Sequence, residues 1–398
     1  MTQDQDTDGT RPLRVAQIGY AFMGAAHSQA WRTAPRVFDL PRGAEMTVLC
    51  GRTASATEAA ARKHGWAEWA TDWREVIARD DIDVVDVCTP GDSHAEIAIA
   101  ALAAGKHVLC EKPLGNTVAE AEEMTAAAEE AAGRGVRSMV GFNYRRLPAM
   151  SLARQLVASG RLGTVRHVRA KYLQDWIVDP KFPLAWRLQK DKAGSGALGD
   201  IGAHIIDLAQ FVTGQLLIGV SGTLETFVKE RPLPSSGTGL AGSGDRSAGM
   251  GEVTVDDAAA FFGRTEGGAL ATFEATRFAN GRKNGMGIEV YGSDGSLSFD
   301  FESMNELHVY DGTVPATDAG FRRILVTEPE HPYLSGWWPP GHVLGYEHTF
   351  THEIADFVTD VVAGRDPSPS FREGLQVQRV LEAVEQSSQD ESRWTPIP

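Results

Sequence analysis

Three cysteines, no basic run longer than the pair in Tyr144-Arg145-Arg146, and no apolar stretch of about 18 residues set the first limits on this 398-residue chain. Cys50, Cys88 and Cys110 each fall at or just before the end of an expected strand, without a partner at metal-ligand spacing. They read as reduced packing residues, and no metal is expected. The formal net charge of -15 and the scarcity of clustered Lys and Arg argue against nucleic acid and anionic membrane surfaces, because binding phosphates takes grouped cations. The opening Met1-Thr2-Gln3-Asp4-Gln5-Asp6 is acidic and polar, unlike a secretory signal, and no run is long enough to span a bilayer. A cytoplasmic protein with a small, neutral substrate is the expectation.

What is present is alternation. After about ten residues expected to be disordered, Leu13 to Ile18 reads as a buried strand, followed by a glycine turn and a helix carrying His27 and Trp31. Then come strand Met46 to Cys50, helix Ala54 to His64, a connecting piece Thr71 to Asp80, strand Val84 to Cys88, helix Ala95 to Ala104 and strand His107 to Cys110. Helix Val118 to Ala132 and strand Ser138 to Phe142 complete the alternation, in which a six-stranded sheet is expected and five of its strands are assigned. Near-continuous apolar strands alternating with helices imply a parallel sheet covered on both faces, an α/β dinucleotide-binding domain over about residues 11 to 142.

Beyond Asn143 the pattern changes. Arg166 to Leu173, Asp257 to Arg264, Ala269 to Arg277, Gly287 to Gly292 and Ser296 to Asp300 read as strands joined by short turns such as Thr265-Glu266-Gly267-Gly268 and Ser293-Asp294-Gly295. This predicts a second α/β domain, residues 143 to 398, with an open, mostly antiparallel sheet. Within it a helix is expected from Asp200 to Val212, ending at Gly214 in a left-handed cap. The Gly- and Ser-rich stretch Pro234 to Gly251 reads as a mobile loop, and helices His348 to Ala363 and Arg372 to Ser387 close the chain.

Three motifs carry chemistry. Gly19-x-Ala21-x-x-Gly24 follows a strand and opens a helix, so the Ala21, Phe22 and Met23 segment can present backbone N–H groups to a pyrophosphate at the positive helix end. After the second strand no carboxylate is available to the adenosine ribose; Arg52 and Thr53 stand there instead, able to hold a 2′-phosphate, which tilts the cofactor reading within NAD(P) toward NADP. The third motif joins Thr89, Pro90 and His94 to Glu111-Lys112-Pro113, both at carboxyl ends of neighbouring strands, where open α/β sheets bind their ligands. A partly desolvated Lys112 there can stabilise a developing alkoxide. Asp200 and His204, four apart, fall on one face of a helix, and histidine suits a general base near neutral pH.

With the glycine turn, the Thr89-Pro90 and His94 segment, Glu111-Lys112-Pro113 and Asp200-x-Gly202-x-His204-x-x-Asp207 in this order, residues 11 to 390 resemble the Gfo/Idh/MocA oxidoreductases. Tyr172 to Trp176, Trp186-Arg187 and Gly194 to Asp200 are similar to the levoglucosan and inositol dehydrogenase branch. The resemblance implies a catalytic set of Lys112, Asp200 and His204, oxidation of a secondary hydroxyl of a sugar, anhydrosugar or cyclitol to the ketone, and a homodimer or homotetramer. Asp207 either supports His204 or faces the sheet. Asn143, Tyr144, Arg145, Trp176 and Trp186 are candidate substrate contacts, the tryptophans because sugar C–H faces pack on flat rings. Where the family often carries Asn after Thr-Pro, this chain has Gly91, which puts one polar contact near the nicotinamide ribose in doubt. Two other readings stand beside the dehydrogenase: a glycoside-cleaving enzyme that oxidises its substrate transiently, and a dinucleotide-sensing regulator without turnover.

Overall fold

The computed structural model describes residues 11–236, 243–244 and 249–398. The expected disordered N-terminus and most of the expected mobile loop lie outside the described residues. The chain closes into two compact units: one of residues 1–114, 119–143 and 345–375, the other of 115–118, 144–344 and 376–398.

The first unit holds a parallel sheet of β1 (Leu13–Ile18), β2 (Ala44–Cys50), β3 (Glu68–Ala70), β4 (Val84–Val87), β5 (His107–Glu111) and β6 (Ser138–Gly141), in the order β3-β2-β1-β4-β5-β6. The order reverses at β1 and β4, the switch point at which doubly wound sheets open a ligand crevice beyond their carboxyl ends. β3 is the strand that sequence reading left unassigned. At three residues, two of them exposed, it is an edge strand with no apolar run to reveal it. β4 is buried at all four positions, as expected of a strand covered on both faces. Helices α1 (Phe22–Val37), α2 (Ala54–His64), α3 (Trp73–Ile77), α4 (His94–Ala103) and α5 (Val118–Ala132) alternate with the strands. The short α3 occupies the expected connecting piece, its amino end capped by Asp72, whose side chain accepts from Arg74 N.

In the second unit α6 (Pro148–Ala158) leads into β7 (Val165–Leu173), and α7 (Lys190–Ala193) precedes α8 (Ala203–Thr213). The remaining strands are β8 (Leu217–Glu225), β9 (Glu230–Pro232), β10 (Pro234–Ser236), β11 (Ser243–Gly244), β12 (Met250–Glu252), β13 (Ala258–Thr265), β14 (Leu270–Thr276), β15 (Gly285–Gly292), β16 (Gly295–Asp300), β17 (Glu306–Asp311), β18 (Arg322–Leu325) and β19 (Thr395–Pro396). Eight of them join β7 in one nine-stranded sheet, ordered β18-β17-β16-β15-β7-β14-β13-β8-β19, antiparallel throughout except for the β7–β14 pair. Buried and exposed positions alternate along β13, which marks a sheet with one face packed and one open. Within and beside the expected mobile loop the described residues include paired strands, β10 with β11 and β9 with β12. Sequence reading missed β8, β17 and β18. Gly214, at φ 68°, ends α8 as anticipated. Helices α9 (Glu347–Ala363) and α10 (Phe371–Gln389) complete the chain, α9 belonging to the first unit.

Candidate active site

In the first unit the turn after β1 is built by close approach. Gly19 has φ 103°, and a Cβ there would lie 2.6 Å from the Cys88 carbonyl oxygen, so only glycine lets β1 run this close to the end of β4. A Cβ on Gly24 would meet the Gly19 carbonyl oxygen at 2.2 Å, which is how α1 packs against its own turn. Buried Gln17 laces the turn from below: its Nε2 donates to the carbonyls of Gly19 at 2.8 Å and Gly24 at 2.9 Å. Ala21, the residue before α1, makes no side-chain cap, and no acidic residue stands in the helix's first turn. No side-chain cap and no acid of the helix's own first turn thus compete for the first-turn amides, as binding of a pyrophosphate requires. This fits a dinucleotide. Phe22 is exposed and stacks on Tyr346 with ring centroids 6.4 Å apart, while Met23 is half-buried.

Beyond β2, Arg52 and Thr53 are exposed. Tyr20 lies across Gly51, where a Cβ would come within 2.1 Å of its ring. At the ends of β4 and β5, His94 is buried, its Nδ1 2.9 Å from Pro113 O and its Nε2 2.9 Å from Thr89 O. Its imidazole thus ties the Thr89-Pro90 turn to the Glu111-Lys112-Pro113 turn and has no nitrogen left for a ligand. Glu111 is likewise turned inward: it is buried, one oxygen 2.8 Å from His27 Nε2 and the other accepting the Lys112 N–H at 3.2 Å. Lys112 and Pro113 are half-buried. Asn143 is buried and donates from Nδ2 to Thr349 Oγ1 at 2.8 Å, so it braces the fold.

In the second unit the residues around His204 form an aromatic and amide cluster. Its imidazole lies 4.7 Å from the Tyr144 ring and 5.9 Å from the Tyr172 ring, centroid to centroid. The two tyrosine hydroxyls are 2.7 Å apart, Tyr172 donates to Asn284 Oδ1 at 2.8 Å, and Gln174 Nε2 donates to the same oxygen at 2.8 Å. Trp176 Nε1 in turn donates to Gln174 Oε1 at 2.9 Å. Tyr172 and Gln174 stand two apart on and just after β7, so they point to the same side. Asn284, far away in sequence, gave no signal of its own.

Asp200 sits in a π-helical turn, Leu198–Gly202, that runs directly into α8. The turn is anchored by buried Asp256, whose carboxylate accepts from Gly196 N at 2.7 Å and Leu198 N at 2.8 Å. Burial raises the Asp256 carboxyl above its ordinary range, opposed by Arg277 and these amides. Such single π turns cluster at functional sites. Behind Asp200 stands Arg277, fully buried, with Nη1 3.6 Å from Asp200 Oδ2 and Nη2 donating to Asp256 O at 2.9 Å. Its Nε and Nη1 make no hydrogen bond among the described residues. Sequence reading treated Arg277 only as a strand end.

One expectation changes here. Arg145, read as a substrate contact, is buried in a pair with Asp207, its Nε 2.9 Å and its Nη2 2.5 Å from the carboxylate. That commits Arg145 to the fold and directs Asp207 toward the arginine. Trp186 is half-buried and capped by its neighbour, the Arg187 guanidinium lying 4.3 Å over its ring.

Residues 13–142 match the model of the oxidoreductase family with an NAD-binding Rossmann fold, and residues 150–298 match that of the GFO/IDH/MocA C-terminal domain. The chain belongs to the Gfo/Idh/MocA oxidoreductases. Among members of this family, a levoglucosan dehydrogenase from Pseudarthrobacter phenanthrenivorans is 41% identical over 97% of this chain and 98% of its own. A crystal structure of an oxidoreductase domain protein from Kribbella flavida is 66% identical, with a TM-score of 0.93, covering 98% of this chain and all of that one. A levoglucosan dehydrogenase solved with NADH and levoglucosan is 40% identical, with a TM-score of 0.91 over 98% of this chain and 100% of that one. That relative carries NADH, and the NADP expectation drawn from Arg52 finds no support.

Proposed function

We propose that this oxidoreductase is an NAD-dependent dehydrogenase of a 1,6-anhydrosugar or a closely related polyol, oxidising one secondary hydroxyl to the ketone. The reading is carried by the surroundings of His204: a histidine flanked by two tyrosine rings, with a hydrogen-bonded run of Tyr144, Tyr172, Asn284, Gln174 and Trp176 leading away from it. Flat rings suit sugar C–H faces and amides suit its hydroxyls. The full-length likeness to a levoglucosan dehydrogenase supports the anhydrosugar class.

In this reading His204 takes the hydroxyl proton. Lys112 hydrogen-bonds the same oxygen and stabilises the charge that develops on it. Asp200, with the buried Arg277 guanidinium 3.6 Å behind it, accepts hydrogen bonds from neighbouring hydroxyls. The amino end of α1 and the Gly19 turn hold the dinucleotide, and Tyr20 and Arg52 border its adenosine end. The bound nicotinamide supplies the hydride acceptor.

The test is absorbance at 340 nm with NAD and NADP, separately, over inositols, aldoses, 1,6-anhydrosugars and glycosides. Signal growth with NAD and an anhydrosugar is expected. Turnover confined to NADP would overturn the cofactor assignment, and silence across the panel would overturn the dehydrogenase.

A further inference from the structure

A buried charge cluster in the first unit takes no direct part in the steps above. His27 of α1 is 1% exposed, Asp86 of β4 is 0% exposed and Glu111 of β5 is 3% exposed. His27 Nδ1 lies 3.0 Å from both Asp86 oxygens, and Nε2 lies 2.8 Å from Glu111 Oε1. A neutral imidazole has one N–H donor and one bare nitrogen, so between two carboxylates one nitrogen would face an anion with nothing to donate. A ring carrying both protons satisfies both sides. The surroundings agree: burial, the largest single influence, lowers the histidine's proton affinity, but Asp86 and Cys88 together outweigh it and hold the ring well above its ordinary value.

The cluster is connected outward at each end. Trp31 Nε1 donates to Asp86 Oδ2 at 2.7 Å, and Cys88 Sγ lies 3.5 Å from Asp86 Oδ1. At the other end the second Glu111 oxygen accepts the main-chain N–H of Lys112 at 3.2 Å. On the α9 side the facing residue is Phe350, its ring centroid 5.4 Å from that of His27 and without charge. The titratable groups around the ring are thus Asp86 and Cys88 at the end of β4 and Cys110 and Glu111 at the end of β5. Donor atoms of His27, Asp86 and Cys88 lie within 4.8 Å of one another, as a metal would need. The contacts from both ring nitrogens to carboxylates are those of hydrogen bonds, however, and they leave neither lone pair for an ion.

We propose that His27 is a positioning residue: an imidazolium clamped between Asp86 and Glu111, it fixes the Glu111–Lys112 main chain and through it the Lys112 ammonium group. This rests on the reading that Lys112 acts on the substrate oxygen. A carboxylate left unpaired in this dry interior would turn away or take up a proton, and Lys112 would lose its fixed origin. The sequence carries a trace of this in Val84-Val85-Asp86-Val87, where a lone acid interrupts an apolar strand, since a charge seldom lies in a covered strand without a partner.

The first measurement uses the whole, unmodified chain. With ¹⁵N-histidine labelling and His27→Gln to assign the signal, long-range proton–nitrogen correlation reads the protonation of both ring nitrogens. Two protonated nitrogens throughout about pH 6 to 8 are expected. One bare nitrogen at neutral pH, or one equivalent of tightly bound metal in the purified protein, would overturn the clamp. The second measurement compares His27→Gln in the native and the Lys112→Met backgrounds. Alone, it should keep the far-UV spectrum and the dinucleotide Kd, lower kcat by roughly 10–100-fold, and change KM little. In the Lys112→Met background it should lower kcat no further. An equal fractional loss in both backgrounds would overturn positioning through Lys112. Full turnover by Lys112→Met itself would refute the role of lysine, while the ring-protonation result still decides whether the clamp exists.

Discussion

The two ends of the parallel sheet use the same side chain in opposite ways. At the carboxyl end, His27 sits between two buried carboxylates, and Asp86 with Cys88 raises its proton affinity well above the ordinary value against the burial that lowers it. At the amino end, His107 accepts the Arg137 N–H at Nδ1, 3.0 Å away, and is pushed down to about 4 by burial first, then by Arg137 and Arg42, with Asp83 opposing. Acids at the amino end spend themselves on half-exposed arginines instead, Asp83 on Arg11 at 2.6 Å and Asp81 on Arg14 at 2.7 Å. Composition therefore does not distinguish the two ends. What differs is that the His27, Asp86 and Glu111 charges at the carboxyl end are dry and lead to the Lys112 main chain, whereas the Arg11–Asp83 and Arg14–Asp81 pairs at the amino end are partly exposed and lead to no such residue.

The strongest way to break this contrast is Lys112→Met. It should lower kcat by about 10²–10³-fold, the usual loss on removing one donor to a developing oxyanion, with dinucleotide affinity by calorimetry nearly intact. Gly24→Val comes next, because its side chain must push into the Gly19 carbonyl. An overpacking cost of about 1–3 kcal/mol should weaken dinucleotide Kd by one to two decades, and unchanged affinity would show that the turn does not hold the cofactor.

Acid stability then sharpens the comparison. His107, with its folded value below the ordinary 6.5, binds fewer protons folded than unfolded between about 4 and 6.5. Stability should drop as pH falls through that window, by up to about 2 kcal/mol from this residue after allowance for partial exposure. His27 acts with the opposite sign: its folded value is raised, so its contribution is complete below 6.5 and fades as pH rises toward that folded value. In urea titrations at several pH values, His107→Gln should flatten the acid limb, and an unchanged limb would place the acid lability elsewhere. The smallest effect belongs to Arg11→Ala at the amino end, within about 0.2–1 kcal/mol and reduced further by salt. A larger loss would mean that the wet pairs matter more than their exposure implies.

Much of this was legible in one dimension. Strand β1 and helices α2 and α5 lie where periodicity and punctuation put them, because buried parallel strands and alanine-rich helices announce themselves locally. Gly19 and Gly24 were readable because their constraint is local. β3, β17 and β18 were not, being edge or near-edge strands with few buried positions. Arg145 looked like a contact because it opens the second unit, yet its ion-pair partner Asp207 lies 62 residues away.

The sequence by itself determined the doubly wound order of elements, the glycine turn, the place of Lys112 at a strand end and the spacing of Asp200 and His204, all set by short-range sterics and hydrophobic period. Only the tertiary structure decided which charges are dry and whom they meet: His27 with Asp86 and Glu111, Arg277 with Asp200, Arg145 with Asp207. Those pairings join residues 59 or more apart on separate strands and helices, and the desolvation that makes them consequential exists only once the chain has folded.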